Sequence, residues 1–123
     1  MIATAEQMRE RLARVREEIA GALERGGRGS DEVRILVASK YYEPEQIAAL
    51  REIGVRLLGE NRAEDLVRKQ ERYGGAFEWH FIGHLQRRKA KIVAPRVSLI
   101  HSVDSARLIK ELEKRAPEDG IDV

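Results

Sequence analysis

Ile35-Leu36-Val37-Ala38-Ser39-Lys40 is the stretch of sequence that decides the fold of this chain. Four apolar residues and a serine lead directly into a lysine. A short apolar run that ends at polar residues is typical of a strand buried in a parallel sheet, so we predict a strand over residues 34–39. Parallel barrels place their chemistry at the carboxyl ends of their strands. Lys40 is therefore the first candidate functional residue.

Strand and helix patterns alternate along the whole chain. Thr4 and Gln7 form a capping box, which begins a long amphipathic helix predicted over residues 5–25. Pro44 and Gly54 bound the helix that follows the first strand. The later strands are predicted at 55–58, 79–82 and 99–103, the later helices at 63–73, 86–93 and 106–116, and a fifth strand begins at 121.

This alternation predicts an α/β fold with a parallel sheet and right-handed crossovers, because each unit is only about 20–25 residues long. The sheet is either doubly wound or part of a TIM-type (β/α) barrel. The 123 residues hold four βα units and the start of a fifth strand, behind a long N-terminal helix. Polar or glycine residues follow each strand, and in a barrel these ends meet around one pocket. They are Lys40, Gly59 to Asn61, Gly83 with His84, and Ser102 to Asp104.

Composition narrows the classes of function. The formal net charge is only +2 although 36% of the residues are charged, so nothing indicates nucleic-acid binding. The sequence has no cysteine, which excludes disulfides and thiolate metal sites and makes the cytoplasm the default location. We expect no membrane span and no signal peptide, because the N-terminal segment is mixed in charge and no long apolar stretch occurs.

Lys40 carries the chemical hypothesis. An amine at the mouth of an apolar strand loses hydration, which disfavours its charged form and leaves a fraction free to condense with an aldehyde as a Schiff base. Pyridoxal 5′-phosphate (PLP) is such an aldehyde. The alternative is that the side chain simply extends from the strand end into solvent.

Other polar residues are weaker candidates. His84 follows Gly83 at the predicted mouth and is placed to touch a ligand, whereas His80 reads as a satisfied, partly buried histidine. Asn61 either caps the next helix or bonds a ligand. The histidines lack the spacing of a metal site, so no metal is expected. The basic cluster at residues 87–91 is either an anion-binding surface or a solvated helix face.

Four segments together closely resemble the pyridoxal phosphate homeostasis protein family, whose fold is related to the barrel domain of alanine racemase. They are VASK at 37–40, LGENR at 58–62, WHFIGHLQ at 79–86 and HSVDS at 101–105. The resemblance covers the chain from about residue 5 onward. It implies that Lys40 carries PLP as a Schiff base with Asn61 and His84 near the cofactor. It further implies a role in vitamin B6 and amino-acid homeostasis without an established catalytic turnover.

Length is the main departure from the family, because its members approach the ~250 residues of a full barrel. Residues 1–123 therefore resemble the N-terminal part of a PLP-binding barrel, as a single domain. Barrel phosphate sites are built after strands 7 and 8, so weak PLP binding is expected here. Because edge strands would be unpaired, we expect self-association or association with a missing C-terminal barrel half.

Two other functions stay open. An amino-acid racemase of the alanine racemase type would use Lys40 as one base and need a second base on the opposite side of the substrate. Tyr41 and Tyr42 are the only tyrosines near Lys40, and neither is a convincing second base. The third alternative is a structural fragment that binds no cofactor.

Overall fold

Nine helices and strands alternate along residues 4–118 and 120–123, which are the residues described by the computed structural model, apart from the side chain of residue 31. The helices are α1 (Ala5–Arg25), α2 (Pro44–Glu52), α3 (Ala63–Tyr73), α4 (Ala90–Val93) and α5 (Ala106–Arg115). The strands are β1 (Val37–Ala38), β2 (Leu57–Glu60), β3 (Glu78–Phe81) and β4 (Leu99–Ile100). Single turns of 3-10 helix lie at Ser30–Glu32, Gly74–Ala76, Arg87–Lys89 and Ala94–Arg96.

The four strands form one sheet in the order β1-β2-β3-β4, and every pair is parallel. Beyond β4, Leu99 forms a parallel bridge with Asp122, so a fifth strand begins where the sequence indicates one. Neighbours in space are neighbours in sequence, as in a barrel, whereas a doubly wound sheet reverses its order. The predicted α/β fold with four βα units of a partial barrel is confirmed.

The two faces of this sheet differ sharply. The outer face presents Leu58, Phe81 and Ile100, which are almost completely buried in a core shared with the helices. That core draws on each of the five helices through Met8, Ile47, Leu66, Val93 and Leu108. The inner face is defined by the row Ala38, Gly59, His80 and Leu99, which the register places side by side. Ala38 is exposed, so the inner face is open at β1.

Local signals set most of the boundaries. The Thr4 hydroxyl accepts a hydrogen bond from the Gln7 backbone amide at 3.2 Å. The Gln7 side-chain Oε1 accepts one from the Thr4 backbone amide at 3.0 Å. The predicted capping box and the helix over 5–25 are thus confirmed. Gly54 follows α2 with φ +94°, a conformation that costs glycine little. Ser105 caps α5 by accepting from the Leu108 amide at 3.1 Å.

Four predicted elements differ from the structure. One is β2, which lies at Leu57–Glu60 where we predicted 55–58. β1 and β4 are only two residues long, where we predicted 34–39 and 99–103. Within the described residues β1 is paired on one side alone and β4 has a single bridge on its far side, so little of either ladder forms. The helix predicted over 86–93 is a 3-10 turn followed by the short α4. Its first turn consists of cations, which the helix dipole disfavours there.

Candidate functional site

The carboxyl edge of the sheet collects the expected site residues. Lys40 lies two residues beyond β1, Asn61 directly beyond β2, and His84 three residues beyond β3. Because the strands are parallel and in register, these positions lie at one edge. Backbone bonds extend the ladders toward this edge, with the Ile82 amide donating to the Glu60 carbonyl at 2.9 Å. The polar strand ends converge, as the sequence predicts.

Lys40 is exposed. Its Nζ lies 5.0 Å from the centroid of the Tyr41 ring, a cation–π distance. The predicted desolvation of the Lys40 amine is therefore wrong, because the inner face beside it, at Ala38, is open to water. The side chain keeps its freedom to reach a ligand.

Asn61 carries an unsatisfied polar atom. Its Oδ1 is buried and has no hydrogen-bond partner among the described residues. The helix-capping alternative is wrong, because Arg62 is the N-cap of α3 and no side chain caps that helix. A buried acceptor left without a donor costs roughly 1–3 kcal/mol. The position therefore favours a ligand that donates a hydrogen bond to Asn61.

Gly83 presses against the backbone of Asn61. A Cβ at this position would lie 2.2 Å from the Asn61 carbonyl oxygen, so only glycine allows the approach. The Ser102 hydroxyl donates to the Gly83 carbonyl from the other side. The ends of β2, β3 and β4 are thereby joined, and the loop that carries His84 is fixed beside Asn61.

Asn61 and His84 share a cleft of about 240 Å³. His84 is exposed, and its Nδ1 lies 3.8 Å from a carboxylate oxygen of Asp104. Arg62, Arg88 and Lys89 also line the cleft and make it cationic, although Lys89 is paired with Glu64. Lys40 does not line it. The structure thus brings two of the three expected residues together and leaves the third at the neighbouring strand end.

Sequence reasoning missed a set of polar residues that lies directly behind Lys40, on the outer face. The buried triad consists of Ser39, Glu60 and Lys69, each at most 1% exposed. Lys69 Nζ lies 2.9 and 3.1 Å from the two Glu60 carboxylate oxygens and donates to the Ser39 carbonyl at 2.6 Å. The Ser39 hydroxyl bonds the same carboxylate. A signal existed, because Lys69 falls on the buried stripe of α3 at helical spacing from Leu66 and Ala63.

The inner face carries a second missed cluster. Glu78 accepts hydrogen bonds from Arg34 at 2.7 Å, from the Ser98 hydroxyl at 2.7 Å and from His80 Nε2 at 3.0 Å. His80 Nδ1 lies 3.0 Å from His101 Nε2. The bonds from Arg34 and Ser98 hold the pKa of Glu78 down at about 2. His80 has hydrogen-bond partners at both ring nitrogens, as the sequence indicated, and it is buried, where we expected partial burial.

Among residues 4–118 and 120–123, no group of three or more histidine, aspartate or glutamate side chains is arranged to hold a metal ion. Over the same residues, none of the helices has the length and apolar character to cross a membrane.

Fold and site together define about half of a parallel (β/α) barrel, with a candidate ligand site at the carboxyl edge of its strands. Solved structures agree. A protein of unknown function from Bifidobacterium adolescentis superposes with a TM-score of 0.82 at 32% identity, over 94% of this chain and 52% of that one. PipY of Synechococcus elongatus, solved with PLP bound, gives a TM-score of 0.61 at 28% identity, over 80% of this chain and 47% of that one.

Two curated relatives carry the same name. Pyridoxal phosphate homeostasis protein of Aquifex aeolicus is 43% identical over 113 residues, which cover 91% of this chain and 50% of the relative. The same protein of Escherichia coli is 36% identical over 112 residues, which cover 88% of this chain and 48% of the relative. The chain is therefore similar to proteins named pyridoxal phosphate homeostasis protein, as the four motifs indicated. It spans about half the length of the curated relatives it matches. No family model matches it.

Proposed function

We propose that this chain is the N-terminal part of a PLP-binding barrel with a role in PLP and amino-acid homeostasis, and that Lys40 holds the cofactor. The observation that carries the proposal is the buried Asn61 oxygen without a donor, at the same edge as the exposed amine of Lys40. The relatives named for PLP homeostasis and the PLP-bound neighbour support it.

Each site residue has a distinct task in this proposal. The neutral amine nitrogen of Lys40 attacks the aldehyde carbon of PLP, the C=N bond forms, and the aldehyde oxygen leaves as water. Asn61 accepts a hydrogen bond from the ligand. Arg62 and Arg88 in the same cleft supply positive charge for an anionic ligand, and His84 beside them offers ring nitrogens for hydrogen bonds. When bound, PLP would supply an electron sink.

A racemase remains the less favoured alternative. It needs a second base across the substrate from Lys40, and Tyr41 is 76% exposed with its ring under the Lys40 amine. Tyr42 is half-buried and packs against the core. Binding without turnover therefore fits these residues better than racemisation does.

The proposal also includes a weak affinity for PLP. Barrel proteins take their phosphate site from the loops after strands 7 and 8, whereas the described part of this chain contains four strands and one bridge. We therefore expect reversible binding by residues 1–123 alone, which we take as one domain. A cytoplasmic location stays a prediction from the sequence.

An absorbance titration with PLP, with and without borohydride, tests the cofactor proposal. Reduction traps the Schiff base, and peptide mass mapping then locates it. We expect preferential labelling at Lys40, loss of that label in Lys40→Ala, and no change in Lys110→Ala, where an exposed lysine of α5 is removed. Labelling that is undiminished in Lys40→Ala contradicts the site, and tight stoichiometric binding contradicts the weak affinity.

Partner binding is the last part of the proposal. The outer edge of β1 is unpaired within the described residues, and unpaired edges invite further strands. We expect self-association, or binding of a complementary barrel half. Sedimentation that finds a stable monomer at micromolar concentration, alone and with that half added, opposes it.

A further inference from the structure

Ser39 is held more tightly than any other residue at the end of β1. Its amide donates to the Gly59 carbonyl at 3.1 Å, and its carbonyl accepts from the Tyr42 amide at 3.0 Å. The same carbonyl accepts from Lys69 Nζ at 2.6 Å, and the hydroxyl bonds the Glu60 carboxylate. The backbone is therefore fixed one residue before Lys40, while the side chain of Lys40 is exposed.

Stability alone does not account for the buried triad. Removing a lysine and a glutamate completely from water costs several kcal/mol for each ion, and apolar residues of similar volume often serve a fold equally well. Lys69 differs from a simple ion-pair partner because its ammonium also reaches the Ser39 backbone carbonyl, directly beyond β1. That carbonyl belongs to the peptide bond that joins Ser39 to Lys40.

The rest of the sheet offers β1 little support. β1 has two residues in the ladder and is paired with β2 alone within the described residues. A strand end held on one side can rotate its last peptide and turn the next side chain away from the carboxyl edge of the sheet. The contact from Lys69 on α3 supplies a third direction of restraint, from behind the sheet.

We propose that Lys69 is a positioning residue for Lys40: its ammonium, neutralised by Glu60, grips the Ser39 carbonyl and so aims the Lys40 amine at the carboxyl edge. The inference rests on the proposed function and deepens it. Lys69 touches no ligand, because it lies on the outer face and is 1% exposed. Glu60 serves to keep the buried charge paired.

The test compares a variant that loses both buried charges with a variant that keeps the Lys69 ammonium. Glu60→Gln with Lys69→Met removes both charges and the grip on Ser39. Glu60→Gln alone keeps the ammonium next to the carbonyl. Glu111→Gln with Arg115→Met is the matched control, because it removes an exposed ion pair of α5 with N–O distance 3.0 Å, away from the site. Each protein is labelled with PLP and cyanoborohydride, and the label on Lys40 is divided by the label on Lys110 of the same molecules.

We expect this ratio to fall on the order of tenfold in Glu60→Gln/Lys69→Met, since a displacement near 1 Å is costly to a reacting group. It should stay near the parent value in Glu60→Gln and in the control pair. The pH profile of Lys40 labelling should keep its midpoint while its amplitude falls, because orientation changes and not basicity. A general loss of structure would also lower the ratio, because Lys110 is already exposed in the folded protein, so the ratio is compared only between folded proteins.

An unchanged ratio in a folded Glu60→Gln/Lys69→Met protein overturns the inference. Thermal unfolding followed by circular dichroism establishes that the protein is folded. If that variant does not fold, Glu60→Leu/Lys69→Met replaces the pair with apolar volume and answers the same question. Absence of preferential Lys40 labelling in the parent would instead overturn the proposed function, so the two failures are distinguishable.

Discussion

The outer and inner faces of the sheet carry charged residues in opposite ways. On the outer face, Glu60 and Lys69 are paired at 2.9 Å and are 0% and 1% exposed at their side chains. On the inner face, Arg34 and Glu78 are paired at 2.7 Å but are 58% and 38% exposed. Similar distances therefore have different energetic weight, because water screens the second pair and not the first.

The difference separates rigidity from access. The outer face fixes the backbone at the strand ends, where its polar atoms are hydrogen-bonded and buried. The inner face keeps Lys40 and His84 exposed and leaves the Asn61 oxygen without a donor. A ligand site needs both properties, since reactive groups must be reachable while their backbone stays still.

The largest loss of stability should come from removing one partner of the buried Glu60–Lys69 pair. Lys69→Met leaves the Glu60 carboxylate buried and unpaired, and removal of one partner of a buried pair typically costs about 3–5 kcal/mol. Denaturant unfolding measures this free energy. Glu60→Gln/Lys69→Met is the control and should be clearly more stable than Lys69→Met. Equal stability of the two proteins would mean that the buried charge does not dominate, and would break the contrast between the faces.

Gly83→Ala should give the next largest loss of stability. It tests whether the backbone at Gly83 and Asn61, on the inner side of the sheet, is rigid. The new Cβ would lie 2.2 Å from the Asn61 carbonyl oxygen, and overpacking of this kind typically costs about 1–3 kcal/mol. Gly75→Ala is the control, since nothing lies within 4 Å of its added Cβ. Thermal unfolding that ranks the two variants equally would show that the backbone at Asn61 yields freely.

Sequence reasoning reached the fold because its signals are local. The capping box at Thr4, the glycine after α2 and the repeated strand patterns each predict an element without knowledge of its neighbours. The parallel order then follows from the regular alternation of strand and helix. The lengths of β1 and β4 were not predictable, because they depend on how far each edge strand is paired.

The same contrast between local signals and long-range packing applies to the candidate site. Lys40, Asn61 and His84 are found from strand ends and motifs, and all three lie at the carboxyl edge. Sequence reasoning overlooked the buried triad because it requires the register of β1 on β2 and the packing of α3 together. The exposure of Lys40 was likewise mispredicted, since it depends on what covers the inner face.

The smallest effect concerns acid stability and the inner pair. The pKa of Glu78 is about 2 instead of the usual 4.5, chiefly through the bond from Arg34. A carboxylate with a lowered folded-state pKa stabilises the fold fully above its unfolded pKa, and this contribution is lost as the pH falls from about 4.5 toward 2. Arg34→Met should weaken that contribution, so its unfolding free energy should depend less steeply on pH in this range.

The control for Arg34→Met is Arg28→Met, because Arg28 is also exposed and paired with a glutamate but does not touch Glu78. Ser98 and His80 still bond Glu78 in the Arg34 variant, so part of the acid dependence should remain. Denaturant unfolding measured through this pH range compares the slopes. If Arg34→Met and the parent lose stability in parallel, the guanidinium does not set the titration of Glu78. The bonds from Ser98 and His80 would then account for the lowered pKa of Glu78.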